Sequence, residues 1–408
     1  MDIWTRIGEL KRDEYIEEAL KNRRNEEEEG SSREEMGGAL KAGKKRKRRW
    51  WKAGLLTMAV VLSLGVGVAT AVGCMAFSAP GYKGPRSAHF DGERFHNQDR
   101  DSEKGFGSFL KWVMNRKQGP WKSYTHFDPG PPPPRRVGRG RLRVTVVNHA
   151  TVLVQTDGLN ILTDPIFSKR ASPVSFAGPK RHRNPGIRFE DLPPVDVVLI
   201  SHNHYDHLDL PTLKRLRKHS NPLILAGLGN RGLLKREGLT NSKDMDWWDR
   251  FAFEGRGGGA GAEIVFVPAQ HFSGRGLCDR NRTLWGGFVV KTRSSNIYFA
   301  GDTGFGPHFK QIGERFGPFD LSLLPIGAFR PRWFMKRMHI SPAEAVKAHH
   351  VVRSRHSVGI HYGTFSLADD GQREPVRELQ RTLAQTQRQT VFWSLKFGVG
   401  REVPLSPK

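Results

Sequence analysis

Cysteine is nearly absent from this chain: Cys74 and Cys278 are the only two in 408 residues. Two cysteines exclude a disulfide framework and leave the redox compartment unread. Acidic residues are also short, with 41 Asp and Glu against 66 Lys and Arg, a formal charge of +25. The first 52 residues hold 15 basic and 12 acidic side chains, a net of +3, so the remaining +22 lies downstream. A strongly basic region favours an anionic partner, whether phospholipid surface, nucleic acid or phosphorylated substrate. Hydrophobic residues make up only 37%. Apolar strands and amphipathic stretches alternate from Arg141 to Val403, so a sizeable core can form only there. No internal repeat recurs at solenoid periods, which excludes a stacked-repeat architecture.

One long apolar run stands apart. Residues 53–77 are 25 positions without a charged side chain, more than the roughly 20 a helix needs to cross a bilayer. Trp50 and Trp51 stand at its entrance, behind Lys44, Lys45, Arg46, Lys47, Arg48 and Arg49, with Lys52 just after them. That arrangement predicts a single transmembrane helix, with the N-terminus cytoplasmic and the remainder on the far side. A cleaved signal would have an unusually long leader, and Ala71-Val72-Gly73-Cys74 matches a lipoprotein cleavage site only faintly. Residues 1–52 read as a charged, largely disordered tail with a short helix over 10–20. Residues 78–140 read as a linker and packing extension, with a helix over 106–113 and a stiff spacer at Pro129 and Pro131 to Pro134. The catalytic domain is expected over 141–408.

Within that domain, positions 202–207 carry three imidazoles and a carboxylate: His202, His204, Asp206 and His207. An apolar run at 195–200 precedes them as a buried strand, and leucines at helical spacing over 208–218 follow. The cluster therefore sits on a strand-to-helix loop. His and Asp are the ligands zinc takes where one coordination position stays open for water. Packed together without a cation, these groups are costly to bury.

Three later strands also end in ligand-type residues: His271 after 263–267, Asp302 in Gly301-Asp302-Thr303-Gly304, and His361 at the end of 358–361. Other strands are expected at 143–147, 151–155, 160–163, 223–226, 287–291, 296–300 and 321–325, with a helix at 342–352. Mixed strands with helices outside them predict a layered α/β protein. Gly227-Leu228-Gly229-Asn230-Arg231-Gly232 matches a dinucleotide-binding pattern, but no second mononucleotide half accompanies it. His349 and His350 read as ordinary helix-face residues.

The order HxHxDH, His, GDTG, His resembles the metallo-β-lactamase fold, an αββα sandwich with a two-metal site. Asn148-His149-Ala150-Thr151-Val152, Thr163-Asp164-Pro165-Ile166-Phe167, Gly178-Pro179-Lys180-Arg181 and Pro331-Arg332-Trp333-Phe334 narrow the likeness. Together they resemble N-acyl-phosphatidylethanolamine-hydrolysing phospholipase D and its microbial relatives. The resemblance implies two Zn2+ per subunit. His202, His204 and His271 would hold one, Asp206, His207 and His361 the other, with Asp302 bridging. Asp164 would be a carboxylate behind the metals that fixes a ligand or the nucleophilic water. His339 would contact phosphate or donate a proton.

Two close cations lower the pKa of a shared water and neutralise phosphoryl oxygens. The implied reaction is in-line attack of hydroxide on phosphorus, giving phosphatidate and an N-acylethanolamine. Arg332, Trp333 and Lys336 lie in a basic and aromatic loop over 329–338 that suits a lipid interface. The expected partners are a phospholipid substrate and a membrane, with no nucleic acid and with a homodimer possible. Other substrates of the same fold, a cyclic ester, lactone or nucleic acid, are the alternative, and a metal-stabilised scaffold is the non-enzymatic one.

Overall fold

Strands covered on both faces read as unbroken apolar runs, and Val197-Val198-Leu199-Ile200 is such a run. The computed structural model describes residues 3–99, 105–255 and 261–405; parts of the expected tail, linker and domain at 1–2, 100–104, 256–260 and 406–408 lie outside these. The chain divides into two units, residues 1–72 and 73–408.

The first unit is one helix, α1 (Ile3–Phe77), whose last turn belongs to the second unit. This corrects the expected disordered tail. The Glu, Lys, Arg, Ala and Leu that dominate the tail are strong helix formers, and Arg33 reaches Glu29 one turn back at 3.5 Å. Charge alone suggests disorder, whereas propensity favours a helix. Among the described residues, α1 is the one helix long and apolar enough to cross a membrane.

In the second unit six successive strands form the first sheet side by side: β1 (Leu142–Asn148), β2 (Thr151–Thr156), β3 (Leu159–Thr163), β4 (Val197–Ile200), β5 (Leu223–Gly227) and β6 (Ser242–Met245). The next seven form the second sheet: β7 (Arg250–Phe253), β8 (Ala262–Val267), β9 (Gly287–Lys291), β10 (Asn296–Phe299), β11 (Phe319–Pro325), β12 (Ser354–Ile360) and β13 (Val391–Trp393). The last strand, β14 (Arg401–Glu402), returns to pair with β1. Strands β3 to β6 run parallel, as do β10 to β13.

The helices are α2 (Phe106–Met114), α3 (Leu210–His219), α4 (Asn230–Arg236), α5 (His308–Phe316), α6 (Arg332–Met335), α7 (Pro342–Val351) and α8 (Glu374–Gln385). Side-chain alternation builds the layers. Val197 and Leu199 of β4 enter the core between the sheets, while Val198 and Ile200 face Leu213 and Leu216 of α3. On the other side Ile312, Ala345 and Leu379, from α5, α7 and α8, join the central core. The result is the expected αββα sandwich.

Residues 78–140, expected as a linker and packing extension, pack against the central core. Phe90 and Phe95 are fully buried in the central core, their ring centroids 4.6 Å apart. Asn97 makes two hydrogen bonds to the backbone of His271, donating to its carbonyl at 2.8 Å and accepting from its N–H at 3.0 Å. The proline-rich stretch is fastened too, since Gln155 donates to the Pro134 carbonyl and Arg136 pairs with buried Asp196. Extended backbone has no internal hydrogen bonds, so neighbouring polar side chains can clamp it. The domain therefore begins well before Arg141.

Cys74 and Cys278 are joined in a disulfide, their Cα atoms 5.4 Å apart across 204 residues of sequence. The glycine-rich turn at 227–232 is closed by Asp244, which accepts the N–H groups of Gly229 and Arg231 at 2.7 Å each. The dinucleotide-like pattern thus already has its anion.

If residues 78–140 belong to the folded domain, Phe95→Ala will destabilise it by about 3–5 kcal/mol, the usual cost of emptying a buried phenylalanine site. Denaturant unfolding measures this, and a change below about 0.5 kcal/mol would return the segment to the status of a linker.

Candidate metal centre

Six strand ends meet along one edge of the two sheets. From the first sheet come His149 in the turn between β1 and β2, Asp164 after β3, and the 202–207 cluster after β4. From the second come His271 beyond β8, Asp302 beyond β10 and His361 immediately after β12. The junction is tight. A Cβ on Gly301 would lie 2.5 Å from the Cβ of Ser201, and the glycine itself has φ +62°. His149, Asp164 and His361 adopt φ of 47°, 33° and 60°, a region that costs a non-glycine residue roughly 1–2 kcal/mol.

His202, His204 and His271 form one group, each offering a nitrogen within 4.8 Å of the others. Asp206, His207 and His361 form a second group, which His149 joins. Between them lies Asp302. Its Oδ2 is 3.2 Å from His207 Nε2 and 3.0 Å from His361 Nε2. The same oxygen is 3.9 Å from His271 Nε2 and 3.8 Å from His339 Nδ1.

The supporting hydrogen bonds choose which nitrogen faces inward. Asp164 accepts His207 Nδ1–H at 2.6 Å, and also the N–H and hydroxyl of Ser201 at 2.7 and 2.6 Å. Asp164 thereby fixes the orientation of the His207 ring. Met338 presents its carbonyl to His271 Nδ1 at 2.9 Å. Both rings then turn Nε2 toward the centre. His207 Nε2, His271 Nε2 and Asp302 Oδ1 are buried without a hydrogen-bond partner. Orphaned donors and acceptors of this kind, in a His and Asp set, fit a bound divalent cation.

Burial holds His202 and His271 well below the usual imidazole pKa, and brings His204 down to about 4. Burial also pushes His361 down, but Asp302 and Asp206 outweigh it and raise it to about 9. His207 is likewise raised, against burial, by Asp302, Asp206 and Asp164. Without metal the carboxylates keep protons on their neighbours, and a cation would take over that charge balance.

A cavity of about 670 Å³ opens onto this edge. His204, Asp206, Asp302, His339 and His361 sit in its wall beside Phe109, Trp112, Phe334, Met335, Met338 and Leu367. Of the expected substrate contacts, Arg332, Trp333 and Lys336 do not line it. Arg332 is taken up by Glu344 at 2.7 Å and by the His339 carbonyl at 2.9 Å. Trp333 and Lys336 point outward, because neighbours on α6 face different sides and the cavity face belongs to Phe334 and Met335.

His149 is not among the expected ligands. It donates from Nε2 to Asp206 Oδ2 at 2.8 Å and is fully buried. Its sequence signals are its place in the Asn148-His149-Ala150-Thr151-Val152 segment and a histidine in a tight hairpin turn, where Gly or Asn is usual. His349 is no metal candidate; it is buried and pairs with Ser357 at 2.8 Å.

A family profile described as "Beta-lactamase superfamily domain" matches residues 159–362. N-acyl-phosphatidylethanolamine-hydrolyzing phospholipase D 1 of Caenorhabditis elegans is 45% identical over 234 residues, covering 55% of this chain and 65% of that enzyme. The match therefore spans just under two thirds of the relative's length. An uncharacterized protein of Mycobacterium bovis is 34% identical over 316 residues, covering 76% of this chain and 82% of its own. In structure, the metallo hydrolase Igni18 of Ignicoccus hospitalis superposes with a TM-score of 0.50 at 19% identity, covering 65% of this chain and all of that one.

Asp164→Asn removes the carboxylate that serves three donors, and metal affinity should fall roughly 10- to 100-fold. Metal per chain after dialysis against graded chelator gives the affinity, and an unchanged value would contradict the positioning role.

Proposed function

We propose, from the premise that this chain belongs to the β-lactamase superfamily and is a metal-dependent hydrolase, that it cleaves N-acyl-phosphatidylethanolamine or a related glycerophospholipid. The bond broken would be that between phosphorus and the N-acylethanolamine oxygen, with water supplying the new oxygen on phosphorus. The products are phosphatidate and the free N-acylethanolamine. The observation that carries this reading is the cavity: its apolar walls end on a His and Asp cluster, which suits an amphiphile with a phosphodiester. The similarity to the worm phospholipase supports the substrate class.

Zinc ions bound at the two groups would supply an activated water and counter-charge for the phosphoryl oxygens. His202, His204 and His271 would hold one, and Asp206, His207 and His361 the other, with Asp302 between them. His339, in the cavity wall 3.8 Å from Asp302, would meet the phosphoryl group or protonate the departing oxygen. The apolar side chains would take the acyl chains and exclude bulk water.

In this reading α1 anchors the enzyme, with the basic residues before its apolar stretch on the cytoplasmic side. The Cys74–Cys278 disulfide supports a catalytic domain on the opposite, oxidising side. Alkylation of the denatured, unreduced protein from its native membrane should then find no free thiol; two free thiols would contradict that placement.

Lipid extracts incubated with zinc-loaded full-length enzyme should gain phosphatidate and N-acylethanolamines as N-acyl-phosphatidylethanolamine declines, and His204→Ala should abolish the change. Identical lipid profiles for the two proteins would overturn the reading.

A further inference from the structure

A second cavity, of about 750 Å³, shares no lining residue with the one at the metal centre. Tyr362 and Gly363, the two residues after His361, form part of its wall. The same wall carries Lys122, Arg183, Arg373, Arg377 and Lys396 against one carboxylate, Asp128. Helical spacing explains part of this grouping. Arg373 stands at the N-cap of α8, and Val376, Arg377 and Gln380 follow at three, four and seven positions, which is one face. Leu379 turns the other way, into the central core. The acidic residues of α8 are engaged elsewhere, Glu374 with Arg330 and Glu378 with Arg381.

Arg183 is the half-buried member of the five. Its guanidinium lies between two rings that also line the cavity, with Cζ 4.3 Å from the centroid of Phe127 and 4.3 Å from that of Phe397. Its Nε is buried without a hydrogen-bond partner. Among the described residues, none of the five cations forms a salt bridge. Burial lowers the Arg183 pKa, yet a guanidinium still keeps its charge at neutral pH. Two aromatic faces offset only part of the cost of holding that charge away from water. The backbone around it is fixed. The His182 N–H bonds to the Thr364 carbonyl at 2.8 Å, and the Thr125 N–H bonds to the His182 carbonyl at 2.9 Å.

We propose that this cavity is a second anion site, which takes a phosphate monoester group. The inference is independent of the phospholipid reading above. A monoester near pH 7 carries a charge of about −1.5 to −2 and three acceptor oxygens, so it calls for more than one cation. Arg183 offers a planar fork matched to two of those oxygens. Held between Phe127 and Phe397, that fork is oriented before the ligand arrives, so little side-chain freedom remains to be lost on binding. The exposed Lys122, Arg373, Arg377 and Lys396 supply the further positive charge. Val376 and Leu395, with the two rings, would receive the apolar part of whatever molecule carries the phosphate.

Calorimetric titration of the zinc-loaded full-length enzyme with inorganic phosphate tests this. Phosphate can also meet the zinc ions, so two variants isolate the second site. Arg183→Met keeps a stem between the rings without the charge. It should weaken one phosphate-binding event roughly 10- to 100-fold, as expected for lost charge-assisted hydrogen bonds, with zinc content unchanged. Arg377→Ala, at an exposed position, should weaken the same event about 2- to 5-fold. If Arg183→Met does not fold, Arg377→Ala decides alone. Phosphate binding identical to wild type in Arg377→Ala, or in a folded Arg183→Met, would overturn the proposal. Short-chain phosphatidate in place of inorganic phosphate then separates the two sources of a monoester. Tighter binding than inorganic phosphate, lost in the variants, would uphold the site as one for a lipid headgroup. Equal, arginine-dependent affinity would uphold it as one for soluble phosphate.

Discussion

The charge balance around Asp302 constrains everything near it. One buried carboxylate oxygen has four imidazole nitrogens within 4 Å. Such a set is expensive to take out of water unless something compensates it. The fold meets that requirement by bringing strand ends from both sheets to one edge. Left-handed backbone at His149, Asp164 and His361, and the glycine at 301, let those ends approach closely enough.

Around that centre, control passes outward through hydrogen bonds. Asp164 sets the His207 ring and Met338 sets the His271 ring, while Asn97 clamps the His271 backbone. The 271–284 loop then connects three things: the metal-binding cluster through Arg275, the cavity through Phe272 and Arg280, and the end of α1 through Cys278. The segment after α1 is thus built into the architecture of the site.

What is legible in the sequence is local. His202, His204, Asp206 and His207 fall within six positions, so their chemistry shows without a fold, and Asp302 and His361 each follow an apolar strand. The αββα layering follows from strand runs such as 197–200. What is not legible depends on distant pairs. Asn97 meets His271 across 174 residues, and Cys74 meets Cys278 across 204. The short strand β6 has three polar residues among its four and β14 has two residues, too little pattern to register. Arg332, Trp333 and Lys336 have the right composition for substrate contacts, but only the rotation of α6 decides which side chains face the cavity.

Metal stoichiometry tests the central claim most directly. Wild type reconstituted with zinc and freed of excess metal should hold two ions per chain by mass spectrometry of the native protein, and Asp302→Asn should hold no more than one. One ion or none in the wild type, or two in the variant, would contradict a centre organised around Asp302.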